Sequence, residues 1–197
     1  EHCHAGYRPK AVDLTAYWRP TLHGLKSQHY YAPAGKALPA VVVGLVARVG
    51  SVNGQRVALI TDLVRGVLDE PSEKPVRTRL LRQVAGSLAE DEMPVLDAGF
   101  KIRELQAAQM PRYVVRLAKN FTARRDHLPV STGGRPPHAK RGERVRPLPR
   151  QRNGKCFPAT VPDRVETWIE NGLQFRAEFW DDLVLPAVKV QPGSSIF

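Results

Sequence analysis

The sequence predicts a mixed α/β protein whose sheet is part antiparallel and part parallel, in the order β β β α β α β, followed by a basic, β-rich, loop-rich segment. Three observations predict it. A β-branched run from Leu38 to Val49 returns through an Asn53-Gly54 turn. Apolar spacing then changes from the strand period to the helical one after Pro75. Beyond Asn120 periodicity fails, and prolines, glycines and arginines take over. The core is expected over residues 1–120 and the β-rich insertion over 121–197.

Between Ala11 and Ala16 a short apolar run reads as the first strand, ended by Arg19-Pro20. The polar, aromatic stretch through Tyr30, Tyr31 and Pro33 reads as a loop. Leu38–Val49 and Arg56–Leu63 form a hairpin about Asn53-Gly54, because that dipeptide accepts the left-handed backbone a tight hairpin needs. Pro75 suits a first helical turn, and Leu80, Leu81, Val84 and Leu88 follow at helical spacing, weakened by Gly86. Met93–Leu96 is a short strand ending in Asp97-Ala98-Gly99-Phe100, where Gly99 gives the backbone room to turn. Lys101–Gln109 reads as a second helix with Ile102 and Leu105 inward, and Tyr113–Leu117 as a further strand. In the insertion, extended pieces recur at 155–160, 164–169, 174–180, 184–185 and 188–190.

Composition excludes several classes. The chain has 197 residues, 42% apolar and 25% charged, which is globular usage rather than disorder or a fibrous repeat. The longest apolar run, from Ala40 to Val46, is broken by Gly44 and falls far short of the roughly 20 residues of a membrane helix. Two cysteines, Cys3 and Cys156, frame no disulfide scaffold, so a reducing, cytoplasmic setting is expected.

The net charge of +11 sits in one place. Residues 112–155 hold thirteen basic and two acidic residues, and the remainder is neutral with seventeen of each. Ten of the thirteen are arginine, whose planar fork matches phosphate oxygens. A confined basic stretch is the footprint of a polyanion, because neutralising phosphates releases condensed counterions. The residues expected on nucleic-acid phosphates are Arg124, Arg125, Arg135, Lys140, Arg141, Arg144, Arg146, Arg150, Arg152 and Lys155. A solvated loop kept soluble by its charge is the competing reading.

Two acids stand where chemistry would use them: Asp13 within the first strand and Asp97 at the end of the fourth. If those strands are neighbours, the carboxylates converge, and such a pair invites a hard cation such as Mg²⁺ or Mn²⁺. Asp near a strand end also serves as a turn former, and spacing alone leaves that open. This element order, with Asp13 on strand one and Asp97-Ala98-Gly99-Phe100 after strand four, resembles the RNase H-like core of DDE-type bacterial insertion-sequence transposases. Downstream runs extend the resemblance over nearly the whole chain: Arg112-Tyr113-Val114-Val115-Arg116-Leu117, Asn120-Phe121-Thr122-Ala123-Arg124-Arg125, Pro162-Asp163-Arg164-Val165-Glu166-Thr167-Trp168 and Phe175-Arg176-Ala177-Glu178-Phe179-Trp180 among them. The resemblance implies an RNase H-like mixed sheet and a metal-dependent endonuclease that cuts and joins DNA at element ends. It places Asp13 and Asp97 as catalytic, metal-holding acids, and implies transposon ends and target DNA as partners, with a homodimer on paired ends.

One departure matters. The family's third acid is a Glu on a later helix within a Tyr…Arg…Glu pattern, which this chain lacks. Glu143, Glu166, Glu170 and Glu178 follow Asp97 but fall in the insertion. The expectation is that the chain stops before the helix, leaving this piece inactive by itself and part of its sheet uncovered. The alternative from another class is a non-catalytic nucleic-acid-binding remnant of a decayed transposase. Smaller candidates read structurally: His2-Cys3-His4 as a frayed end, Cys156 as a half-buried hydrophobe, Asp62 and Asp181-Asp182 as strand-end polar residues, and Tyr17-Trp18 as packing against the sheet edge.

Overall fold

The computed structural model describes residues 6–126 and 142–184. The chain divides into two compact units, residues 1–117 and 118–197.

The first unit runs β1 (Arg8–Trp18), β2 (Gln28–Tyr31), a single 3-10 turn (Ala32–Ala34), β3 (Lys36–Val52), β4 (Gln55–Arg65), α1 (Lys74–Ser87), β5 (Glu92–Leu96), α2 (Ile102–Ala107) and β6 (Val114–Val115). Its strands form one sheet in the spatial order β4-β3-β1-β5-β6. The β4-β3-β1 meander is antiparallel, while β1-β5 and β5-β6 are parallel. The mixed sheet is therefore as the sequence predicts. The stretch expected as a loop contains β2, which pairs with Lys36–Pro39 at the end of β3 that β4 leaves free. Trp18 closes this corner: its ring packs 4.9 Å from that of Tyr31, and its indole N–H donates to the His29 carbonyl at 3.2 Å.

Alternation along the strands sorts the side chains. Val12, Val46 and Leu96 are cross-strand neighbours on one face, with Val42 and Val64, and all are buried beneath α1 and α2. α1 contributes Val76, Leu80, Leu81 and Val84, the stripe its spacing foretells. Gly44 is what lets the helix approach: a Cβ there would sit 2.8 Å from Leu80 Cδ2. The opposite face carries Tyr17, Leu63, Ile60, Val95 and Val114, all exposed. A buried ion pair locks β1 to β5, with Lys10 Nζ 2.9 Å from Glu92 Oε2 and both side chains almost fully covered.

The second unit holds β7 (Ala123–Arg125), β8 (Arg144–Val145), β9 (Arg150–Arg152), β10 (Lys155–Phe157), β11 (Arg164–Glu170), β12 (Leu173–Phe179) and β13 (Leu183–Val184). They form three small antiparallel sheets, β13-β7-β8, β9-β10 and β11-β12. The strands expected at 155–160, 164–169 and 174–180 thus exist, the first of them shorter, whereas β7, β8 and β9 have no counterpart in the sequence reading. The piece expected at 188–190 and the motif His2-Cys3-His4 lie outside the described residues. Both two-stranded sheets turn through Asn-Gly, with φ of 51° and 70° at Asn153-Gly154 and 52° and 75° at Asn171-Gly172, matching 51° and 77° at Asn53-Gly54. All three are left-handed pairs that favour these residues. Cys156 is exposed rather than half-buried, because it faces away from Phe157 on a two-stranded sheet.

Candidate functional site

Parallel pairing ends with Val12 opposite Leu96. Asp13 is thus the first residue at which β1 runs past the end of β5, and Asp97 the first after β5 stops. A cleft of about 510 Å³ opens there, lined by Asp13 and Leu14, by Gln28, His29 and Tyr30 of β2, by Glu73 and Arg77 at the start of α1, and by Asp97, Gly99 and Phe100. Open α/β sheets bind ligands at the carboxyl ends of their strands where the chain order reverses, and β1 to β5 is such a place. The two acids singled out from the sequence therefore share one cleft.

Each carboxylate has its own attachment. Asp13 Oδ1 accepts the N–H of Leu14 at 2.8 Å. Asp97 is paired with Arg116, whose Nε lies 2.7 Å from Oδ1, both side chains being more than half exposed. Such an exposed pair is weak and screened by salt. Gly99 is not required by the turn: a Cβ there would meet nothing within 4 Å, and its backbone is not left-handed. It lines the cleft beside Asp97 and Phe100.

Sequence reasoning missed a third carboxylate in the cleft. Glu73, the residue before α1, pairs with Arg77 one turn later and with His29 Nδ1 at 2.8 Å. Arg77 also reaches Glu104 of α2 at 3.2 Å, and its guanidinium lies 5.8 Å from the centre of the Phe100 ring. This network ties β2, α1 and α2 together across the back of the cleft. The i, i+4 spacing of Glu73 and Arg77 was visible in the sequence, but their meeting with His29, 44 positions away, is tertiary.

Among the described residues no three His, Cys, Asp or Glu side chains come together as a metal site. Asp13 and Asp97 suit Mg²⁺ in donor type, since that ion takes one or two carboxylates and completes its shell with water and substrate phosphate. No described helix follows α2 in the chain, and Glu166, Glu170 and Glu178 stand on β11 and β12.

The basic residues separate by environment. Arg125 is buried, donating to both oxygens of Asp163 at 2.5 and 2.7 Å and to the Asp181 carbonyl. Its hydrogen bond to Asp163 raises its pKa against the opposing effect of burial. Its place among phosphate contacts is corrected: the guanidinium is already neutralised inside the unit. Arg124 donates to the Gly142 carbonyl at 2.8 Å. Arg144, Arg152 and Lys155 are exposed, and Arg146 and Arg150 half-buried. Arg135, Lys140 and Arg141 lie outside the described residues. No helix among the described residues is long and apolar enough to cross a membrane. Comparison with known proteins finds no matching family model, no matching curated protein and no matching solved structure.

Proposed function

We propose that the chain is a piece of a DDE-type DNA transposase with an RNase H-like core, and that Asp13 and Asp97 hold a divalent cation for cutting and joining DNA. The observation that carries this reading is the shared cleft where β1 runs past the end of β5, with both acids on its wall. The strand order β4-β3-β1-β5-β6, antiparallel then parallel, supports the RNase H-like assignment.

A cation bound between Asp13 and Asp97 would supply charge neutralisation and Lewis-acid polarisation of a phosphoryl oxygen. The chain's own residues do the rest. Asp97 is paired with Arg116, whose guanidinium can transfer from the carboxylate to an incoming phosphate. Glu73 is held by Arg77 and His29, which keeps the start of α1 fixed behind the acids. Leu14 and Phe100 give the cleft its apolar walls. Basic residues of the second unit position DNA through its phosphates rather than by reading bases.

The test is strand transfer by the parent protein across a Mg²⁺ and Mn²⁺ titration. Asp13→Ala and Asp97→Ala reduce it to background; unchanged activity in Asp97→Ala overturns the assignment. The pairing of Asp97 with Arg116 favours a second reading, a nucleic-acid-binding remnant without chemistry. In that case DNA binding needs no metal and neither alanine variant alters the calorimetric response to Mn²⁺.

A further inference from the structure

Alternation places Arg150, Arg152, Lys155 and Phe157 on one face of the β9-β10 hairpin, since Arg150 pairs with Phe157 and Arg152 with Lys155. Gln151 and Cys156 take the other face. Arg146 joins from outside: its guanidinium carbon lies 5.3 Å from the centre of the Phe157 ring, and that of Arg150 lies 5.9 Å from it. Backbone and side-chain bonds between Arg146 and Thr160 fix this approach.

Three features mark this face. The Nε atoms of Arg146 and Arg150, like that of Arg77 in the first unit, are shielded from solvent and have no hydrogen-bond acceptor. Arg152 stands directly across from Lys155, a like-charge pair that destabilises a hairpin unless an anion lies over it. No acidic residue occurs between Glu143 and Asp163, and Asp163 is taken by Arg125. Elsewhere Arg8, Arg77, Arg79, Arg116, Arg125, Arg164 and Arg176 all have carboxylate partners.

We propose that the face formed by Arg146, Arg150, Arg152 and Lys155 around Phe157 is a phosphate seat for a nucleic-acid backbone. Phe157 spaces and orients the two guanidiniums, whose terminal nitrogens take consecutive phosphodiester oxygens. The inference rests on the reading of the basic stretch as a nucleic-acid contact. It is independent of whether Asp13 and Asp97 hold a metal.

The experiment measures binding of the chain to duplex DNA, single-stranded DNA and RNA of one sequence between 50 and roughly 300 mM salt, without divalent metal. Arg146→Gln/Arg150→Gln is compared with Arg82→Gln/Arg103→Gln, which removes the same charge from exposed sites of the first unit. Each phosphate contact contributes about 0.9 to the salt slope on duplex DNA, so the seat variant lowers the slope by about 2 and weakens binding on the order of 50-fold at 0.1 M salt. The control variant stays near wild type. Phe157→Leu, keeping every charge, weakens binding with the slope nearly unchanged. Thermal unfolding of each variant separates these effects from loss of fold. If wild type binds and the seat variant matches the control, the seat is refuted while the basic stretch keeps its role. If wild type binds none of the three nucleic acids at low salt, both fall. Tighter binding to polyglutamate or to anionic vesicles than to any nucleic acid also overturns the proposal.

Discussion

Replacing Glu92 by Gln tests how the cleft is held in register. Lys10 and Glu92 are 5% and 2% exposed, so the pair joining β1 to β5 is desolvated. Glu92 also accepts the Ala89 N–H at 3.1 Å, and Arg48 approaches its other oxygen at 3.5 Å. With charges 2.9 Å apart, Coulomb attraction at an effective dielectric constant of about 20 is about 6 kcal/mol, comparable with the desolvation cost of two ions. The intact pair is thus close to balance, and removing one partner is not. Glu92→Gln preserves shape but leaves an ammonium buried without its counter-charge, at a cost of about 3–5 kcal/mol. The double variant Lys10→Met/Glu92→Leu removes both charges and stays within about 1 kcal/mol of wild type or exceeds it. Urea unfolding at neutral pH, followed by tryptophan fluorescence and circular dichroism, reads both. A loss under about 1 kcal/mol in Glu92→Gln, or a double variant as unstable as the single, refutes the reasoning.

Acid adds a second readout of the same pair. Burial pushes the Glu92 carboxyl up, but hydrogen bonds from Lys10 and Ala89 and the charges of Lys10 and Arg48 outweigh it, leaving the group below its ordinary 4.5. A depressed carboxyl contributes stability that is fully present above the unfolded value and disappears as pH falls through the folded one. Wild type therefore loses stability below about pH 4.5 more steeply than the double variant does.

Other substitutions follow from packing. Leu80→Ala empties the fully buried centre beneath α1 and costs about 2–5 kcal/mol in urea unfolding. Gly44→Ala drives a methyl against Leu80 and costs about 1–3 kcal/mol, recovered in part when Leu80 is shortened to Val. Arg125→Gln breaks the fork on Asp163 and destabilises the second unit by about 2 kcal/mol, visible in differential scanning calorimetry as a lowered transition for that unit alone.

The first unit was largely legible because its signals are local. β-branched density, the Asn53-Gly54 turn and the Leu80-Leu81-Val84 stripe each specify an element without help from distant residues. β2 escaped because Gln28–Tyr31 has no apolar alternation and becomes a strand only by pairing with Lys36–Pro39. Asp13 and Asp97 could be brought together on paper because parallel neighbours follow from the order of elements. Glu73, Arg77 and His29 could not, since side-chain meetings across 44 positions leave no local mark. In the second unit, Asn153-Gly154 and Asn171-Gly172 repeat the hairpin signal at residue 53, and reading them alike would have located β9. The burial of Arg125 depends on Asp163, 38 positions away, so composition alone grouped it with the exposed arginines.

β3 is the spine from which the first unit hangs. β1 holds one of its edges, while β4 and β2 share the other end to end, so nearly every rung of its seventeen residues is taken. Opening it detaches three neighbours at once, and no partial disassembly can spare it. Amide exchange should accordingly be slowest near residues 41–46, and the cleft, suspended from β1 one ribbon away, keeps its shape only as long as that central strand does.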